Sequence, residues 1–161
     1  MISADNLHEG RKARSILCCR IRGFRAFVSS WLILMTTSLA AQGPRTIEKG
    51  DQSNIDTAKQ VVVRSDAEWT QLWRQHAPDR PQPPIDFSKE TVIGLFMGSR
   101  PNAGYSTAVV SATEGGGALI VRYTETRPAP GAITAQILTF PYHLAAIPRA
   151  TATNVKFEKV Q

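Results

Sequence analysis

Beyond residue 90 the hydrophobic positions follow a period of two or form short continuous runs, which predicts strands and not helices. Thr91-Val92-Ile93-Gly94-Leu95-Phe96-Met97-Gly98 is apolar on both faces, as a central strand covered on both sides would be. A strand over 105–113 follows, with Val109 and Val110 at its middle. Gly115-Gly116-Gly117 then makes a tight connection into a strand over 118–125, where Leu119, Val121 and Tyr123 share a face. Residues 136–147 read as one long strand in which Pro141 implies an edge position or a bulge, and Pro148 closes it. Residues 154–160 alternate and predict the last strand. Upstream, the β-branched run at 60–64 is another.

One segment breaks the pattern. Ser65 followed three residues later by Glu68 is a capping box, and Trp69, Leu72, Trp73 and His76 fall at i, i+3, i+4 and i+7. This predicts an amphipathic helix over 66–76 whose tryptophan stripe is buried against a sheet, with His76 capping the C-terminal end or facing its dipole. Pro78, Pro81, Pro83 and Pro84 make 77–87 an extended connector. Residues 41–58 are a polar, loose lead-in with a short edge strand at 45–49. The expected fold class is a β-dominated α+β domain over 59–161: a largely antiparallel sheet or sandwich of six or seven strands, with one helix packed on it.

Charge changes the picture at the N-terminus. The net charge of +6 suggests a nucleic-acid protein, but residues 1–40 hold six basic and two acidic side chains. From Ala41 onward 13 basic face 11 acidic residues, a net of +2, and so balanced a body lacks a phosphate-binding stripe. No charge occurs between Arg25 and Arg45, and the basic leader, apolar core and Ser38-Leu39-Ala40 ending form a secretory signal with cleavage after Ala40. An uncleaved anchor is the alternative, since the uncharged run is 19 residues long. Either way the body is expected in the periplasm or secreted, touching a membrane only through that segment. Cys18 and Cys19 lie in the leader, so the body has no disulfide and no thiolate metal site.

Catalytic signatures are absent. His76 and His143 are 67 residues apart without a neighbouring ligand, which argues against a metal site. Gly104-Tyr105-Ser106 lacks the second glycine of a nucleophile elbow, and Gly115-Gly116-Gly117 lacks the Lys of a phosphate loop. The expectation is a non-enzyme without cofactor. The distinctive chemistry lies in turns: Arg100, Pro101, Gly104 and Tyr105 in one; Arg127, Pro130 and Gly131 in a second; then Tyr142, His143 and Arg149. Exposed Arg and Tyr on shaped loops suit a protein-binding surface.

From about Val62 to Phe157 the chain resembles the PrcB C-terminal domain family. The resemblance rests on Val63-Arg64-Ser65 leading into Glu68-Trp69 and Leu72-Trp73, and on Pro84-Ile85-Asp86-Phe87-Ser88. The most specific pieces are Gly98-Ser99-Arg100-Pro101-Asn102-Ala103-Gly104-Tyr105-Ser106 and the run from Pro141 to Arg149. It implies a non-catalytic subunit that associates with an exported protease and stabilises it. The sequence departs from the family pattern at Asn102-Ala103, where Thr-Gly is usual. Pro101, Gly104 and Tyr105 also match the P-x-x-G-Y spacing of chagasin-type protease inhibitors, without a partner R-P-W/F loop. A small-ligand binder or enzyme using His143 is a third alternative.

Overall fold

The structure, a computed structural model, describes residues 43–161. The leader and its cleavage site lie outside the described residues. Seven strands and one helix follow in the order β1 (Arg45–Gly50), β2 (Lys59–Val63), α1 (Asp66–His76), β3 (Glu90–Phe96), β4 (Ser106–Gly115), β5 (Ala118–Thr126), β6 (Tyr142–Pro148) and β7 (Asn154–Lys159). They form two sheets, ordered β1-β6-β3-β2 and β4-β5-β7. The fold is β-dominated α+β, as its patterning predicts.

The doubly apolar β3 sits inside the four-stranded sheet, between β6 and β2. Its odd and even positions face different cores. Val92 and Phe96 join Trp69, Leu72, Trp73 and Leu144 under the helix, while Ile93 and Leu95 join Val109, Leu119, Val121, Ala145 and Ile147 between the sheets. The period of two thus builds three layers: helix, four-stranded sheet, three-stranded sheet. All pairs are antiparallel except β5 with β7, because β6 in the other sheet intervenes before the chain returns.

Helix α1 begins with the Glu68 N–H donating to Ser65 Oγ at 3.4 Å. The Glu68 carboxylate reaches back to the Arg64 N–H at 2.8 Å, one residue beyond the usual capping box. The two indoles tack down the proline connector: Trp69 Nε1 donates to Pro83 O at 3.0 Å and Trp73 Nε1 to Arg80 O at 2.9 Å.

Three expectations are corrected. Residues 136–141 do not belong to a strand; β6 starts at Tyr142 and is interior to its sheet, not at an edge. Pro141 has no N–H for a ladder, so pairing starts after it, while its carbonyl accepts the Met97 N–H at 2.9 Å. The edge strand expected at 45–49 is present as β1, paired along β6, but the remainder of the lead-in is not loose, since Ser53 and Ile55 are buried. His76 does not cap the helix, whose C-cap is Ala77; it sits in the last turn, at the negative end of the dipole, 1% exposed, and its carbonyl accepts the Asn54 N–H at 3.0 Å.

Candidate functional site

β3 runs toward the end of the molecule from which β6 starts, so the β3–β4 loop (99–105) and the β5–β6 connection (127–141) emerge side by side. An isolated antiparallel bridge joins them at Arg100 and Thr139. The Arg100 N–H donates to Thr139 O at 2.8 Å and the Thr139 N–H to Arg100 O at 2.9 Å. Further out, the Ala103 N–H reaches Ala135 O at 2.9 Å, and the buried Thr139 hydroxyl donates to Asn102 O at 3.1 Å. Two irregular loops are thereby stitched into one ridge, with backbone groups satisfied across it.

Glycine geometry fixes the ridge's shape. Gly104 has φ +99°, which strains any other residue, and a β-carbon there would stand 3.0 Å from Pro128 Cγ, so the proline would also have to give way slightly. At the foot, Gly98 has φ +71° and a β-carbon would come within 2.7 Å of Ala58 N and Asp56 O. The lead-in loop buttresses that foot, with the Ser99 N–H on Asp56 O at 2.8 Å and the Phe140 N–H on Asp51 O at 2.7 Å. The Arg100 guanidinium lies 5.7 Å over the Tyr105 ring, a cation–π contact that holds the charge against the loop.

Ile133, Ile137 and Leu138 stand exposed on this ridge, at 104%, 51% and 57%. Neither 99–105 nor 127–141 contains an acidic residue, while Arg100 and Arg127 are basic. The ridge is apolar and positive.

Residues 91–148 match the PrcB C-terminal family model. The match spans β3 to β6 and therefore both loops of the ridge. No curated protein and no solved structure matches the chain.

Within the matched segment 91–148, the ridge brings together Arg100, Pro101, Gly104, Tyr105, Arg127, Pro130 and Gly131. It does not include the other three candidates. Tyr142 and His143 are each 3% exposed, which removes both from a contact surface, and Arg149 lies at the far end of β6. The apolar ridge residues escaped the sequence pattern because a strand over 136–147 would have buried every second one. The proline at 141 was the signal that the strand starts later.

His143 instead bridges the sheets. Its Nδ1 accepts the Val109 N–H at 2.9 Å, which places the ring proton on Nε2, 2.9 Å from Thr46 Oγ1. Val109 lies on β4, an edge strand with a bulge between Val109 and Ser111, and the imidazole satisfies an N–H that the ladder leaves free. Burial, aided by the Lys49 charge, lowers its pKa to about 4. With both nitrogens engaged, the neutral ring offers no lone pair to a ligand.

His76 anchors a second polar cluster beneath the helix. Arg80 Nη2 lies 3.2 Å from its Nε2, and a guanidinium only donates, so Nδ1 carries the proton toward Ser53 Oγ at 2.8 Å. Burial lowers the His76 pKa against the opposing pull of Glu48, whose carboxylate pairs with Arg80. The Tyr142 ring packs edge-on to the imidazole at 4.2 Å, and burial pushes its phenol pKa up. Among the described residues no group of three or more His, Cys, Asp or Glu is arranged to hold a metal ion.

Proposed function

We propose that this is an exported protein-binding domain that docks another exported protein on the ridge formed by 99–105 and 127–141. One observation carries the reading: Ile133, Ile137 and Leu138 are presented to solvent on a hydrogen-bonded support flanked by Arg100 and Arg127. A monomer gains nothing from exposing three large aliphatic side chains together on one connection; a partner that covers them does. The rigid support lowers the ordering cost of binding, and Arg and Tyr supply the anchors typical of interface hot spots. The partner surface is apolar with acidic groups at its rim, by charge complementarity.

The PrcB C-terminal match supports a partner that is an exported protease, with the domain as its accessory, stabilising subunit. The leader of basic residues and apolar core supports export. An inhibitory role would use the same ridge, since Pro101, Gly104 and Tyr105 lie on it; assaying partner protease activity with and without the domain separates stabilisation from inhibition. Arg100→Ala combined with Tyr105→Ala is expected to weaken co-purification from periplasmic extract while leaving the thermal midpoint in place. Loss of the fold, or undiminished co-purification, contradicts the proposal.

A further inference from the structure

At the end of the sandwich opposite the ridge, β2 ends, β3 begins and β6 ends around a cleft of about 260 Å³. Arg64, Phe87, Thr91, Arg149, Ala150 and Thr151 line it. Two guanidinium groups 85 positions apart in sequence are thus brought to one cavity whose lining contains no carboxylate. The Arg64 Nε is buried and has no hydrogen-bond acceptor among the described residues. A buried guanidinium N–H without an acceptor is costly, and its usual resolution is an ion or a water that the protein itself does not supply.

The surroundings favour an anion. Arg64 Nη2 donates to Ala152 O, which fixes the guanidinium in place. Glu114 borders the cleft, but its carboxylate is taken by the Thr151 N–H at 2.7 Å, the Thr151 hydroxyl at 3.1 Å and the Ala152 N–H. The Glu68 carboxylate nearby is likewise taken by a backbone donor, the Arg64 N–H at 2.8 Å, so neither acid is hydrogen-bonded to a guanidinium group of the cleft. Arg149 is exposed; its N–H is held by Lys89 O at 2.7 Å, while among the described residues its guanidinium makes one hydrogen bond, a 3.4 Å contact with Ser88 O, so the side chain can swing onto a ligand. Thr91 Oγ1 accepts the Ala150 N–H at 3.1 Å, which leaves its own proton to donate.

We infer that this cleft is an oxyanion-binding site in which Arg64 and Arg149 clamp a carboxylate or phosphate group against the Phe87 wall. Guanidinium pairs recognise both groups through charge-assisted, often bidentate hydrogen bonds. The site is independent of the ridge, so failure of one leaves the other standing.

The test is a titration of the ¹⁵N-labelled protein with inorganic phosphate and, separately, acetate, against chloride at equal ionic strength. The observables are the Arg64 Nε–H and Thr151 amide resonances. Saturable shifts with either anion support the site; saturation by acetate assigns it to carboxylates, and saturation by phosphate alone to phosphate-bearing ligands. Arg149→Gln, a surface change, should weaken binding roughly tenfold or more. Arg64→Lys should abolish it, because the ammonium keeps the charge but lacks the side-on N–H. Chloride-like, unsaturable shifts with both anions, or wild-type affinity in Arg149→Gln, overturn the inference.

Discussion

At His143 a single side chain ties local chemistry to stability. The folded imidazole has a pKa of about 4 against an ordinary 6.5, because burial and the Lys49 charge disfavour the cation. The sign follows from proton counting: below pH 6.5 the unfolded chain binds a proton that the folded one refuses. Stability is full above pH 6.5 and falls as pH drops toward 4, by about 3 kcal/mol for this residue. His76 is shifted in the same direction and deepens the loss. Urea unfolding between pH 7 and pH 4 should show this slope. His143→Asn, which keeps an acceptor for the Val109 N–H but cannot titrate, should flatten it; an unchanged slope would show that His143 is not the cause. Gly98 makes a second demand on one residue. With φ +71° and lead-in backbone 2.7 Å from any β-carbon, Gly98→Ala is expected to cost about 2 kcal/mol or more in denaturant midpoint measurements.

Among the elements, α1 shows most directly how pattern becomes packing. Trp69 fills the helix-side core and also donates to Pro83 O. Trp69→Ala should cost about 3–5 kcal/mol. Trp69→Phe, which keeps much of the ring burial but loses the hydrogen bond and part of the ring volume, should cost about 2 kcal/mol, and equal losses in the two variants would contradict a packing role. The helix was legible in the sequence because Ser65, Glu68 and the 69-72-73-76 stripe are local signals that tertiary contacts reinforce. β3 was legible because both of its faces are apolar, which only a covered strand tolerates. The path from Gly131 to Pro141 was not legible. Its isoleucines and leucine have strand propensity, but what holds the segment is pairing with Arg100 and Ala103, which are distant in sequence. His143 misled for a related reason: beside Tyr142 in a turn-like Pro-Tyr-His run it suggests an exposed loop, yet its role is to satisfy an edge strand of another sheet. Seven of the ten candidate residues nevertheless converge on the ridge, since turns rich in Pro, Gly and Arg are where chains leave a sheet.

On the scale of the whole molecule, the three layers separate stability from binding. The cores lie under the helix and between the sheets, while the ridge occupies one end of the sandwich and the arginine cleft the other. Ile137→Asp with Leu138→Asp therefore changes only exposed positions, and its stability should stay within about 0.5 kcal/mol per site of the parent protein. The most direct measurement is quantitative co-purification of the parent, this double variant and Arg149→Gln from the exported fraction of the source cells. The expected result is a partner enriched with the parent and with Arg149→Gln, and depleted more than roughly tenfold with the Ile137→Asp/Leu138→Asp variant, at matched thermal midpoints. If folded double variant and parent bring down the same proteins in the same amounts, the ridge is not a docking surface.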